Sequence, residues 1–357
     1  MPAPTYWDYL NLPKLLDCQG GLDGTPSADE LHFIIVHQTY ELWFKLILSQ
    51  LRLARDHLAA PRLPEERVPF VVHHLGRVNA ILRLMVDQFV VMETLPPQDF
   101  LDFRDKLLPS SGFQSYQLRE FEILLGLTPE RRIKYAGTDP IEHIRSQAHS
   151  ESGRAVAARL SATMEEVSLR DALLSWLVRA PIMGSTPDSP GDAEVVDQFL
   201  HDYFARVQAD QHATGDKLVH VLDGADEDKI RARIEASLAG VRSFLLPDGV
   251  SARRAVAALV FIESYRHLPL LAFPRLLLDT AVELEEQVLL FRHRHARMAE
   301  RTIGRRVGSG GSSGVEYLDQ TLAYRVFPEL WNVRSCLLPR EKLPPLVGEA
   351  NYRFAQD

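Results

Sequence analysis

The sequence predicts an all-α fold. Hydrophobic residues recur at helical spacing from one end of the chain to the other, and alternating runs of Val, Ile and Thr joined by Asn-Gly or Asp-Gly turns do not occur. The 357 residues are 46% hydrophobic and 25% charged, which is typical of a globular protein. We expect one domain over residues 1–357, a helical bundle core with a helical insertion at about residues 183–245.

Proline and glycine divide the chain into segments. After an opening at 6–16 that we expect to be extended, Thr25 to Glu30 has the cap and early acids of a helix start. Helices are expected at about 27–58, 67–93, 99–108, 113–125, 169–178, 193–222, 226–244, 251–266, 275–301, 315–323 and 328–334. The signal over 128–159 is weak. In the first long helix the expected core residues are Leu31, Ile34, Ile35, Leu42, Leu46, Leu48 and Leu51.

Composition limits the partners and the compartment. The formal net charge of −8, without a basic stripe, argues against nucleic acid as a partner. Cys18 and Cys336 are too few for a disulfide framework and fit a reducing cytosol. The N-terminus has no signal-peptide pattern, and the longest apolar run, 255–262, is shorter than the roughly 20 residues of a membrane helix. We therefore expect a cytoplasmic protein with no membrane partner.

The long helix predicted at 275–301 carries His293 and His295 and leads to a glycine-rich loop at 308–314. Imidazole is the usual protein ligand of haem iron, and a loop with few side chains can pass close to a ligand. The alternative is a surface helix whose cationic end suits the helix dipole, followed by a flexible linker.

Two further helices carry candidate binding residues. Phe33 and His37 are four residues apart and share one helix face, where a ring and an imidazole could form the floor of a pocket. The alternative is a core Phe beside a hydrogen-bonded His. Arg119 lies on the inner face of an apolar helix and needs an anion, which a substrate carboxylate or Glu122, three residues on, could supply.

These residues belong to longer strings that resemble the tryptophan 2,3-dioxygenase family of the haem-dependent aromatic oxygenase superfamily. The strings are Tyr6-x-Asp8-Tyr9-Leu10, Phe33-Ile34-Ile35-x-His37-Gln38, Val86-Asp87-Gln88-Phe89, Ser111-Gly112-Phe113-Gln114-Ser115-x-Gln117-x-Arg119, Arg294-His295 with Gly308-Ser309-Gly310-Gly311, and Phe327-Pro328-Glu329-Leu330. They follow the family order over about residues 6–339, and the match is weak only over 128–250.

The resemblance implies a haem-containing core and a set of roles. His295 would be the axial ligand of a haem b whose iron is Fe2+ in the active form. His37 and Arg119 would be the catalytic residues, His37 over the indole nitrogen and Arg119 on the substrate carboxylate. Phe33 would pack on the indole, and Ser309 would touch the carboxylate or ammonium group.

The resemblance also implies a homotetramer. The segment 1–24 would reach a neighbouring subunit, where Tyr6, Tyr9 and Leu10 would help to wall its pocket.

The implied reaction inserts O2, the co-substrate, across the indole C2–C3 bond of L-tryptophan and gives N-formyl-L-kynurenine, a step of tryptophan catabolism in the kynurenine pathway. One alternative is a superfamily relative that oxygenates a substituted tryptophan or another aromatic amino acid in a biosynthetic pathway. A second is a non-catalytic sensor of haem or an amino acid. Three departures from the family pattern bear on the pocket: Trp7 for Gly, Phe291 for Trp and Ser309 for Thr.

Overall fold

The computed structural model describes residues 3–107, 110–134, 137–222, 226–306 and 314–353. Within these ranges the chain is helical and has no β-strand, and β-pairing is limited to isolated bridges such as that between Ile182 and Ser185. The predicted all-α fold class is confirmed.

The helices follow the predicted order. The α-helices are α1 Tyr6–Tyr9, α2 Leu12–Leu15, α3 Ala28–Ala59, α4 Val68–Met92, α5 Pro97–Arg104, α6 Tyr116–Leu125, α7 Pro140–Ser146, α8 Glu151–Met164, α9 Leu169–Arg179, α10 Asp192–Val221, α11 Glu227–Leu245, α12 Val250–Ser264, α13 Ala272–Ile303, α14 Gly314–Gln320 and α15 Pro328–Asn332. Short 3-10 turns include Asp105–Leu107, Gly112–Gln114 and Thr321–Ala323. Gly126, at a φ of 115°, ends α6 because the left-handed conformation costs glycine little.

The opening at 6–16 is not extended, and that prediction is wrong. It contains the two short helices α1 and α2. The Thr5 hydroxyl accepts a hydrogen bond from the backbone N–H of Asp8, and the Asp8 carboxylate accepts one from the backbone N–H of Thr5. This capping box satisfies backbone donors that a four-residue helix otherwise leaves unpaired.

The weak stretch at 128–159 contains two helices, α7 and most of α8. Asp139 caps α7 by accepting from the N–H of Ile141 at 2.8 Å, and Ser150 caps α8 by accepting from the N–H of Gly153 at 3.0 Å. Both caps are residue types that favour helix starts, so local capping defines these helices where the apolar periodicity is poor.

The predicted core of α3 is partly wrong. Leu48 and Leu51 are each 1% exposed, as expected for core residues. The apolar side chains of a second face are exposed instead: Leu31 37%, Ile35 46%, Leu42 50% and Leu46 38%. A helix apolar on two faces cannot bury both in one core, so the spacing alone does not distinguish core from surface.

The chain divides into two compact units. The first is Met1–Leu51, Arg77–Glu166 and Glu286–Tyr324. In it α6, α7 and α8 contact one another, and Val36, Met92, Leu95, Phe100 and Phe103 form a buried cluster.

The second unit is Arg52–Gly76, Val167–Glu285 and Arg325–Asp357. In it α10 and α11 contact each other, and α12 contacts α9, α10 and α11. The predicted insertion at 183–245 falls within this unit.

No single helix in the described parts of the chain has the length and hydropathy of a membrane span. Val250–Ser264 and Pro269–Ile303 meet those criteria only as a pair, with a bend of 118° between them. In α12 every residue from Arg254 to Ser264 is buried inside the protein.

Candidate active site

His295, on α13, lines a cavity of the first unit. The ring of His295 stacks on Phe89, with centroids 5.8 Å apart and planes 13° apart, and Phe291 lies 6.0 Å away. Burial, together with the positive charges of the neighbouring arginines, lowers the pKa of His295 to about 4. Among the described residues, neither ring nitrogen has a hydrogen-bond partner. The site therefore presents a neutral imidazole with a free lone pair.

His37 lies on α3 in the same cavity. Its Nδ1 is 2.8 Å from the backbone oxygen of Phe33, and because a carbonyl only accepts, Nδ1 carries the proton. Burial lowers the pKa of His37, which favours the neutral ring. In that tautomer Nε2 is an acceptor for an N–H group of a ligand.

Phe33 provides an aromatic surface beside that acceptor. Its ring centroid is 4.0 Å from that of His37 and 5.7 Å from those of Phe100 and Phe103. The i, i+4 spacing on α3 puts the two rings on one face, as the sequence predicts. A flat apolar group fits this surface.

Arg119, on α6, is 3% exposed. Its Nη1 donates to Glu122 Oε2 at 2.7 Å and to the Tyr317 hydroxyl at 3.3 Å, and its guanidinium lies 5.0 Å from the Phe113 ring centroid. Nε is buried without an acceptor among the described residues. Arg119 thus makes the intrahelical pair with Glu122 and also lines the cavity, so the two readings of the sequence are compatible.

The N-terminus of α6 is fastened to α3 by one carboxylate. The Ser115 hydroxyl donates to Glu41 Oε1 at 2.6 Å, and Gln117 Nε2 donates to Glu41 Oε2 at 2.7 Å. Ser115 also caps α6 by accepting from the N–H of Leu118 at 3.3 Å. This network gives Ser115 and Gln117 a structural role: they fix the helix that carries Arg119.

Two cavities meet around the histidines. One has a volume of about 220 Å³ and the other about 570 Å³, and Phe33, His37 and His295 line both. The larger volume is within the range of about 300–1,000 Å³ common for ligand pockets. Arg119 lines the smaller cavity.

The predicted site residues divide into three groups. Phe33, His37, Arg119 and His295 meet at these cavities. Tyr6, Tyr9 and Leu10 lie on or just after α1 with 71%, 80% and 42% of their surface exposed, and they line none of the described cavities. Ser309 lies outside the described residues.

The sequence analysis missed Arg292 and Tyr317, which line the cavity beside Arg119. Arg292, one turn before His295, is 8% exposed and its Nη2 donates to Glu122 Oε1 at 2.7 Å. Arg292 lies in a cationic run with Arg294 and Arg297, so only its burial in the structure marks it as a charge that needs an anion.

Fold and cavity define a helical protein with a largely apolar pocket that presents an aromatic ring, two histidines and an arginine. Known proteins agree with this class. The family model described as tryptophan 2,3-dioxygenase matches residues 2–337. The chain is 45% identical to tryptophan 2,3-dioxygenase 2 of Ralstonia nicotianae, with 100% of this chain and 99% of the relative covered.

More distant relatives match over similar lengths. The tryptophan 2,3-dioxygenase of Sorangium cellulosum is 44% identical, with 98% of this chain and 87% of the relative covered. That of Dictyostelium discoideum is 33% identical, with 98% and 88% covered. The chain belongs to the tryptophan 2,3-dioxygenase family.

Proposed function

We propose that this protein is a haem-dependent dioxygenase that inserts both atoms of O2 across the indole C2–C3 bond of L-tryptophan, yielding N-formyl-L-kynurenine. The observation that carries the proposal is the meeting of Phe33, His37, Arg119 and His295 at one cavity. An aromatic surface, an acceptor for N–H and a cation for a carboxylate match the parts of tryptophan.

The donor set fits a haem. His295, a neutral imidazole without a hydrogen-bond partner among the described residues and in a cavity with apolar walls, would hold the haem iron. A ferrous haem b held there would supply the activation of O2 that the reaction needs. Phe89, stacked on the His295 ring, keeps that ring in one orientation.

His37 and Phe33 orient the substrate. The indole packs on the Phe33 ring, and its N–H donates to Nε2 of His37, whose other nitrogen is already bound to the Phe33 carbonyl. His37 thus holds the indole N–H in place as a positioning acceptor. The apolar residues around the two rings, among them Phe100 and Met298, exclude water from the reacting bond.

Arg119 binds the substrate carboxylate. Its Nη1 is held by Glu122 and Tyr317, and the unpartnered Nε is a further donor on the same rigid group. Ser309, which follows α13 in the sequence, would touch the carboxylate or the ammonium group in this proposal.

The proposal includes a cytoplasmic homotetramer in which the segment 1–24 reaches a neighbouring subunit. Tyr6 and Tyr9 are exposed, although large aromatic side chains are usually buried. Leu31, Ile35, Leu42 and Leu46 form a second exposed apolar surface, on α3, and such surfaces typify interfaces.

The test is turnover of L-tryptophan. We expect the haem-reconstituted, dithionite-reduced protein to bind L-tryptophan without oxygen and to form N-formylkynurenine, followed by its near-ultraviolet absorbance, once O2 is added. A normal haem spectrum with no product from tryptophan, but turnover of a substituted indole amino acid, would overturn the substrate assignment.

His37→Ala should lower kcat/KM by about tenfold or less, because it removes one hydrogen bond between neutral groups. Steady-state kinetics normalised to haem content would measure this. His32→Ala is the matched control: this histidine is also on α3, and it bonds the backbone oxygen of Val91. Complete loss of turnover in His37→Ala with haem fully bound would instead make His37 an obligatory base.

The double substitution Leu42→Glu and Leu46→Glu should reduce the molar mass of the assembly in solution, because subunits dissociate. It places charges on a surface that the proposed assembly buries, and charge is depleted from the centres of interfaces. Light scattering after size exclusion measures the mass. Leu218→Glu with Val221→Glu is the control, because these exposed residues lie on α10. An unchanged tetramer in the α3 variant would contradict this interface.

A further inference from the structure

Two buried arginines share one buried carboxylate in the wall of the smaller cavity. Glu122, 2% exposed, accepts from Arg119 through Oε2 and from Arg292 through Oε1, each at 2.7 Å. Burial opposes ionisation of Glu122, but the charges of Arg119 and Arg292 outweigh it and hold its pKa below the ordinary value. The carboxylate is therefore charged.

Each guanidinium is also held from a second side. Arg119 lies against the Phe113 ring, and Arg292 lies over the Tyr324 ring with 4.6 Å from its Cζ to the centroid. The Tyr324 hydroxyl in turn accepts from the N–H of Ile133 at 2.8 Å. Aromatic faces and Glu122 thus fix both arginines before any ligand arrives.

The cluster does not balance its charge. Two guanidiniums and one carboxylate leave one positive charge. The Nε atoms of Arg119 and Arg292 are both buried and have no acceptor among the described residues. Glu41 and Glu30, the other carboxylates that line these cavities, are also engaged: Glu41 accepts from Ser115 and Gln117, and Glu30 accepts from Lys106. A buried surplus charge with unused donors favours an anion at this wall.

We propose that Glu122 and Arg292 are positioning and specificity-determining residues of this site: Glu122 holds Arg119 in place, and Arg292 provides the surplus charge that the substrate's carboxylate balances. The inference rests on the proposed function, since it assigns the carboxylate to the amino-acid substrate. It predicts that the site prefers an indole ligand with a carboxylate over one with only an amine.

Three indole ligands test this by calorimetry on the anaerobic holoenzyme: L-tryptophan, indole-3-propionate and tryptamine. Arg292→Gln removes the surplus charge and should weaken binding of the two carboxylates by about tenfold or more, as expected for a unit charge a few ångström away in a partly screened interior, without weakening tryptamine. Arg292→Lys keeps the charge and should bind the carboxylates nearly as well as the unchanged protein.

The double variant Glu122→Gln with Arg292→Gln separates charge from position. Arg119 alone then supplies one positive charge, so carboxylate affinity should recover most of the loss seen in Arg292→Gln. The Arg119 guanidinium is then no longer held by a carboxylate. We therefore expect kcat for L-tryptophan to be lower than in the unchanged protein, while KM returns towards the value of the unchanged protein. Glu122→Gln alone leaves two unbalanced charges and should lower the melting temperature. The double variant keeps the test valid if this single variant does not fold.

Arg231→Gln is the matched control, because this arginine on α11 is exposed and paired with Glu227 and Asp216. Carboxylate affinity unchanged in Arg292→Gln would overturn the proposal. So would a loss of haem affinity with tryptophan affinity retained, which would assign the charge to a haem propionate. Calorimetry measures binding without turnover, so the carboxylate site and the proposed reaction are tested separately. If the variants change carboxylate affinity as expected but no product forms, the proposed reaction is refuted and the carboxylate site stands.

Discussion

Replacing Arg119 with lysine is expected to lower kcat/KM for L-tryptophan by about 100-fold. Lysine keeps the charge but loses the planar guanidinium, whose Nη1 is held by Glu122 and Tyr317. A carboxylate held at one point lets the indole shift relative to the reacting oxygen, and displacements of about 1 Å cost that much rate. Steady-state kinetics of the haem-loaded variant measure the effect.

Arg159→Lys is the matched control. Arg159 also binds a buried carboxylate of α6, with 2.8 Å from its Nε to Glu120 Oε2, and it lies over an aromatic ring, that of Tyr116. It lines neither of the two cavities. We expect normal kinetics from Arg159→Lys, and unchanged kinetics in Arg119→Lys would remove Arg119 from the substrate site.

His295→Ala is expected to lose specific haem binding and all turnover while remaining folded. The imidazole has no hydrogen-bond partner among the described residues, so its removal breaks no internal network. Loss of the His295 ring does enlarge the cavity next to Phe89. Haem stoichiometry and the axial-imidazole absorption spectrum measure the loss, and circular dichroism checks the fold. Free imidazole, which fits the space left by the side chain, should restore part of the spectrum.

His293→Ala is the control for that experiment. It lies two residues earlier on α13 and is exposed, and at 100° per residue it faces about 200° away from His295. The haem content of the His293→Ala variant should equal that of the unchanged protein. A His295→Ala protein that still binds haem through a histidine would show that another residue is the ligand.

The sequence predicts most of the helices because proline, glycine and apolar periodicity are local signals. α3, α4 and α13 match their predicted limits within about three residues. α1 and α7 depend on caps at Thr5 and Asp139, where side-chain hydrogen bonds to the first turn outweigh a weak apolar pattern. The sequence places the exposed leucines of α3 in the core because apolar periodicity identifies an apolar face of a helix. It does not show whether the core or a partner covers that face.

Spacing within one helix predicts part of the site. Phe33 and His37 share a face because they are four residues apart, and Arg119 meets Glu122 because they are three apart. The contact between Arg292 and Glu122 joins residues 170 apart in the chain, and no local pattern reports it. The buried charge cluster therefore emerges only from the folded structure, although the sequence does predict the pair of Arg119 with Glu122.

In the proposed reaction this cavity directs both atoms of O2 into the indole ring of L-tryptophan. A single-turnover reaction under 18O2, with the product analysed by mass spectrometry, tests it most directly. We expect N-formylkynurenine that carries two labelled oxygen atoms, one in the formyl group and one in the ketone. A product with one labelled atom, or with none, would contradict dioxygenation at this site.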